Sequence, residues 1–229
     1  MKNKLRVFSI LLASWFLLFS INYVNAQEMT VQTVVHHIQS ELVKRDSALS
    51  DYTVKMDMKY MDYKEDSPKV ERTEQQEWIF RNGELAERES TAEDDHQNQT
   101  SETDTSHATK EMRMGDPLAI FQTPDEYNFS LESSPNDSLL KVRVIPREPT
   151  KESYQGIFTL RKSDLKVLSA DLKPGATIPH VTSAETKVDF TTFLGYPVTQ
   201  TVASRFKGKY LLFFSFDKGI KIKMDYVQN

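Results

Sequence analysis

The chain of 229 residues contains no cysteine at all, only seven glycines, and fewer basic than acidic residues, 29 against 33. Without cysteine it has no disulfides, no thiolate metal sites and no thiol catalysis. A domain of about 200 residues buries roughly 70% of its unfolded surface, so it needs no such staple. The net charge of -4 argues against a nucleic-acid binder, which draws most of its affinity from clustered lysine and arginine. The composition also excludes a collagen, a coiled coil and a multi-pass membrane protein. Chemical motifs are equally scarce. No G-x-S-x-G, H-E-x-x-H, P-loop or G-x-G-x-x-G occurs. Ser204-Arg205-Phe206-Lys207 spells S-x-x-K, but the spacing needs a helix and the surroundings alternate as a strand. The adjacent His36 and His37 diverge by about 100° on a helix and do not chelate one ion. His96 and His107, near Asp94 and Asp95, fall in a polar loop composition. We therefore expect no enzyme activity, no metal and no cofactor.

What is present begins with a leader. Lys2, Lys4 and Arg6 precede an apolar run from Val7 to Ile21, and Val24-Asn25-Ala26 offers small residues to a signal peptidase. The run is short for a hydrocarbon core that needs about 20 residues. Residues 1–26 thus read as a cleaved secretory signal peptide, and 27–229 as one domain. Cleavage removes three basic and no acidic residues, which leaves a net charge of -7. Gln27, with no cysteine beside it, cannot carry a lipoprotein's lipid, so the domain is expected in the periplasm in soluble form. Such an acidic surface disfavours attraction to anionic headgroups over the whole protein.

Along the domain, Val31, Val34, Val35, Ile38, Leu42 and Val43 form an amphipathic helical stripe, with Thr30 as N-cap and Lys44 and Arg45 in the last turn. From Tyr52 the period becomes two: Val54, Met56, Met58 and Tyr60 alternate with polar residues. Asn82-Gly83 between Trp78–Phe80 and Leu85 predicts a hairpin with a type I′ turn. Residues 91–110 are acidic and nearly free of apolar side chains, which predicts a flexible insertion. Asp116 and Pro117 open a short helix or turn carrying Leu118, Ile120 and Phe121. Alternation then runs through Phe129, Leu140–Val144, Phe158–Leu160, Leu168–Leu172, Val188–Phe190, Val198–Phe206, Tyr210–Phe216 and Ile220–Tyr226. Pro135-Asn136, Ser163-Asp164, Lys207-Gly208 and Asp217-Lys218-Gly219 are among the turn signals between these runs.

About ten short-linked strands and one long helix predict a mostly β (α+β) fold, built on one large curved antiparallel sheet. One helix is too small to cover ten one-sided strands, so the sheet must curl around it, and an apolar cavity is a natural consequence.

The leader, the helix, "DYTVKMDMKYMDY", "DPLAIFQTPDEYNFSLE", "YQGIFTLRKSDLKVLSADL" and "VDFTTFLGYPVTQTVASRFKGKYLLFFSFDKGIKIKMDY" together resemble the LolA-like family of outer-membrane lipoprotein-sorting proteins. The resemblance covers essentially all of 27–229 and lies in architecture, with no invariant chemical motif. It implies an unclosed β-barrel with a helical lid, whose interior shields the acyl chains of a lipid or lipoprotein on the way to the outer membrane. The implied partners are those acyl chains, an inner-membrane donor and an outer-membrane acceptor, and a monomer is expected. The acidic insertion departs from the expected carrier. An alternative is an envelope interaction or stress-sensing module that uses the same fold for protein recognition.

Candidate ligand-binding residues are apolar. Met56, Met58, Tyr60, Trp78, Phe80, Phe129, Phe158, Phe190, Phe206, Leu212 and Phe214 stand at alternating positions, and flexible methionines suit acyl chains. Leu118, Ile120 and Phe121 are the candidate lid. Each of these residues has ordinary core packing as its other reading. N-terminal sequencing of protein recovered from its own host is expected to begin at Gln27; a start at Met1 would mark an uncleaved anchor.

Overall fold

A computed structural model describes residues 29–63, 68–90, 116–134, 136–210 and 214–229, without the side chains of Tyr210 and Phe214. The leader 1–26, the acidic segment 91–110, Pro135 and Leu212 lie outside the described residues. Two compact units divide the chain, Met1–Thr30 and Val31–Asn229. The long helix and every strand belong to the second.

Among the described residues, one α-helix, α1 (Val31–Ala48), precedes ten strands: β1 (Tyr52–Asp62), β2 (Lys69–Arg81), β3 (Glu84–Ser90), β4 (Tyr127–Glu132), β5 (Leu139–Pro146), β6 (Tyr154–Arg161), β7 (Val167–Pro174), β8 (Val181–Phe193), β9 (Tyr196–Tyr210) and β10 (Phe214–Gln228). They form one sheet in the order β3-β2-β1-β10-β9-β8-β7-β6-β5-β4, and every pairing is antiparallel. The edge strands β3 and β4 do not pair with each other, so the barrel is unclosed. The topology follows from short connections that send each strand back beside its predecessor. Two steps depart from this: β4 lies at the opposite edge from β3, and β1 joins the last strand, β10, through eleven matched positions from Tyr52↔Gln228 to Asp62↔Lys218.

Register gathers the apolar residues on one face. Phe158 lies opposite Val142 and Ala170, Phe129 opposite Val144, and Met56 opposite Met224. That face curls inward. Tyr52 on β1 and Phe193 on β8 are three strand steps apart, about 14 Å on a flat sheet, yet their ring centroids are 6.4 Å apart. On β2–β3, Asn82 and Gly83 have φ of 54° and 76°, as the type I′ turn requires.

The helix differs from its expected stripe at one residue. Val34, Val35, Ile38 and Leu42 are buried, but Val43 is 64% exposed. At about 100° per residue, Val43 falls roughly 120° from the centre of the buried four, whereas Arg45 falls within their arc. The apolar face of α1 therefore ends in a guanidinium.

Two expected turns are absent. Lys207-Gly208 and Asp217-Lys218-Gly219 lie inside β9 and β10, which form one long pair from Tyr210↔Phe214 to Thr201↔Lys223. These glycines serve close approach. A Cβ on Gly208 would sit 2.2 Å from the His180 carbonyl oxygen and 2.2 Å from the Phe216 ring; one on Gly219 would sit 2.6 Å from the Ser204 oxygen and 2.9 Å from the Tyr63 ring. The His180 carbonyl also accepts the Lys209 N–H at 2.9 Å, so it cannot move aside without breaking that bond. Gly208→Ala is expected to lose about 1–3 kcal/mol, the usual cost of overpacking; a denaturant midpoint equal to wild type would contradict the close approach.

Candidate functional site

The inner face has two unlike halves. Over β4 to β8 it is sealed. Asp116 accepts the Leu118 N–H at 3.0 Å and so starts a 3-10 turn, Pro117–Phe121, whose Pro117 supplies no donor at a position where none is needed. Phe121 and Leu118 are fully buried and Ile120 nearly so. Phe121 meets Phe158 edge-on at 4.9 Å and Phe129 at 5.5 Å, and Phe158 stacks on Phe190 at 6.3 Å. Burying one such phenyl ring stabilises by about 2–3 kcal/mol, with edge-on geometry adding about 1. Helix α1 packs on β9, this turn and β4.

The turn is fastened to the helix by polar contacts. The half-buried Arg45 guanidinium donates to Asp116 at 2.9 Å and to the Pro197 carbonyl at 3.5 Å, while Gln122 donates to Asp46 at 2.8 Å. Arg45 thus brings the positive charge of the last helical turn onto the carboxylate that caps the next element. Close by, burial pushes the Tyr226 phenol well above its ordinary pKa.

Over β2 and β10 the face is less covered. Val54, Met56, Phe80 and Leu85 form a buried cluster, against which Tyr52, Trp78, Ile222, Met224 and Tyr226 are only partly buried. Ile220 and Phe206 are also half-buried. Met58 stands opposite Ile222 on one side and Glu74 on the other; Tyr60 stands opposite Ile220 and Arg72.

The expected site residues do not divide cleanly between the halves. Met56, Met58, Phe80, Leu118, Ile120, Phe121, Phe158 and Phe190 are buried. Tyr60, Trp78, Phe129 and Phe206 keep part of their surface. Phe214 pairs with Tyr210 at the end of the β9–β10 hairpin, and Leu212 lies outside the described residues.

Hydropathy alternation does not reveal a polar ladder along β2. The inward residues Arg72, Glu74 and Gln76 precede Trp78, so the first half of this strand has no apolar face to mark it. Glu74 is 8% exposed and accepts from Gln76 at 2.6 Å, Arg72 at 3.0 Å, Ser90 at 3.3 Å and Tyr60 at 3.4 Å. Gln76 in turn accepts the Trp78 indole N–H at 2.9 Å. The Gln76 amide, then the Arg72 charge and the two hydroxyls, hold the Glu74 carboxyl below its ordinary pKa against the opposing effect of burial.

Among the described residues, no three histidine, aspartate or glutamate side chains are arranged to hold a metal ion, and no helix is long and apolar enough to cross a membrane. A depression of about 520 Å³ opens elsewhere, at the β5–β6 turn, lined by Leu139, Arg161, Lys162 and Leu168 among others. It is separate from the inner face, because Leu139 and Arg161 pair with each other at outward positions.

A depressed folded-state pKa means that Glu74 contributes stability above the ordinary value of 4.5 and loses it as pH falls through the lowered one. Glu74→Gln is expected to cost about 1–3 kcal/mol at neutral pH and to flatten the acid limb of stability below that value. Urea titrations from pH 3 to 7 check this, and an unchanged acid limb would contradict it.

No family model matches the sequence, nor does any curated protein. Among solved structures, the chain is similar to a LolA superfamily protein from Nitrosomonas europaea, with 8% identity and a TM-score of 0.40 over 88% of this chain and 94% of that one. It is similar to a putative outer membrane lipoprotein-sorting protein domain from Vibrio parahaemolyticus, with 12% identity and a TM-score of 0.41 over 85% and 92%. A DUF1329 family protein from Desulfovibrio piger gives 10% identity and a TM-score of 0.43 over 87% and 93%.

Proposed function

We propose that this chain is a secreted, non-enzymatic binding protein of the periplasm that shelters the acyl chains of a lipid or lipoprotein on its inner face during transfer toward the outer membrane. One observation carries this reading. The apolar floor on β10, with Ile220, Ile222 and Met224, is half-buried, while the same face over β4 to β8 is closed by buried side chains and the 3-10 turn. A sheet that needed only a core would gain by covering both halves. Each methylene moved from water onto such a floor gains about 0.8 kcal/mol, so a single acyl chain supplies useful affinity without any polar contact. The paired methionines Met56 and Met224 give the floor side chains that adapt to chains of different length and bend.

The sealed half supports a division of labour. The buried phenyl rings hold the fold, and ligand exchange is confined to the β1–β10 side, so the Arg45–Asp116 contact can stay closed throughout the cycle.

The test is native mass spectrometry of the protein purified from its own periplasm, followed by extraction and lipid analysis. The expected result is a phospholipid or acylated peptide at near-unit stoichiometry, and its loss in an Ile222→Asp variant that keeps the wild-type circular dichroism. A clean unliganded mass, with no uptake of added lipid, would refute the reading.

A further inference from the structure

The apolar floor of β10 has two ends, and they differ in kind. Past Met224 it runs into rings. Tyr226 on β10, Tyr52 on β1 and Phe193 on β8 meet in one group, with centroids 5.5, 6.4 and 6.5 Å apart, and Tyr52 stacks on Phe80 of β2 at 4.6 Å. Rings at these separations are in packing contact, so no gap the width of an acyl chain is left between them. Because they come from four strands, they form a wall across the concave face. The Tyr226 hydroxyl donates to the Met224 sulfur at 3.6 Å, which sets the wall against the last residue of the floor. Asp116 and Arg45 act on the same phenol, so the fastening of α1 to the 3-10 turn lies beside this wall.

The other end is polar. Lys218, two residues before Ile220 and on the same face, donates to Asp62 at 3.0 Å and to Glu71. All three side chains keep part of their surface in water. Between these limits lie the half-buried Ile220, Ile222 and Met224. At about 3.4 Å per residue they span about 14 Å, close to the roughly 15 Å that one leaflet of a bilayer core gives an acyl chain. We propose that an acyl chain lies lengthwise along β10, its terminal methyl against the wall of Tyr52, Phe193 and Tyr226 and its head beside Lys218, so that the wall limits the length of chain bound. This rests on the acyl-binding reading above and adds the direction and the length limit of the ligand. Each methylene on the floor raises affinity about fourfold, whereas one left beyond the head end in water adds nothing.

The chain has two tryptophans, and Trp15 lies in the leader, so Trp78 fluorescence is the indole signal of the secreted protein. Trp78 shares a row with Tyr226, across Val54, and so reports on the walled end. Stearoylglycerols bearing a nitroxide either at the chain end or beside the ester are titrated against this fluorescence, and unlabelled dodecanoyl, hexadecanoyl and eicosanoyl esters compete with them. The expected result is stronger quenching by the chain-end label, an affinity at least about tenfold higher for hexadecanoyl than for dodecanoyl, and no further rise for eicosanoyl. Tyr226→Ala and Phe193→Ala, each with wild-type circular dichroism, are expected to let affinity rise again by about tenfold from hexadecanoyl to eicosanoyl. The quenching order needs no substitution, so it decides the direction even where a variant does not fold. Stronger quenching from the ester end, or wild-type affinity that keeps rising to eicosanoyl, would overturn the wall and leave the acyl reading standing. Binding of none of the esters would overturn both.

Discussion

A ten-stranded antiparallel sheet with one apolar face has more surface to cover than an 18-residue helix can reach. This mismatch shapes the molecule. Curling brings β1 and β8 close enough for Tyr52 and Phe193 to touch, and the 3-10 turn adds Leu118, Ile120 and Phe121 to the cover. Together these seal the β4 to β8 half. On β10, Ile220, Ile222, Met224 and Tyr226 are left partly buried, a state that costs stability in a protein with no ligand to complete it.

The two halves are held by different forces. The sealed half depends on ring packing and on the Arg45–Asp116 ion pair, whose carboxylate also caps the 3-10 turn. Because Arg45 is half-buried, its charge is matched where it stands by Asp116 and Asp46. The other half depends on hydrogen bonds along β2, where Glu74 gathers donors from three strands, β1, β2 and β3. That network orders the outer strands without adding apolar bulk, and it keeps the floor beside it clear. On the outward face, Arg205 grips Asp217 with two bonds of 2.7 Å and lies over Tyr63, which fastens β9, β10 and the end of β1 together.

The strands were legible wherever inward residues are apolar, because a period of two is then unmistakable. Met56, Met58, Phe158 and Phe190 all fall on the face their alternation assigned to them. The first half of β2 was not legible, since its inward residues are Arg72, Glu74 and Gln76 and carry no hydropathy signal. Gly208 and Gly219 misled for a physical reason: glycine serves close approach as well as turns, and only the neighbouring strands distinguish the two. Val43 misled because nearness in sequence to Leu42 is not nearness on the helix surface. In the candidate site, alternation separated inward from outward residues, but covered and half-covered positions depend on where α1 lands, which no local pattern specifies.

Photo-crosslinking with a diazirine-bearing fatty acid, followed by peptide mass spectrometry, tests most directly whether the β1–β10 half of the inner face is a ligand site. The account predicts adducts on the β10 segment that holds Ile222 and Met224, and none on the buried rings Phe121 and Phe158. Adducts confined to outward positions, or none at saturating ligand, would contradict it.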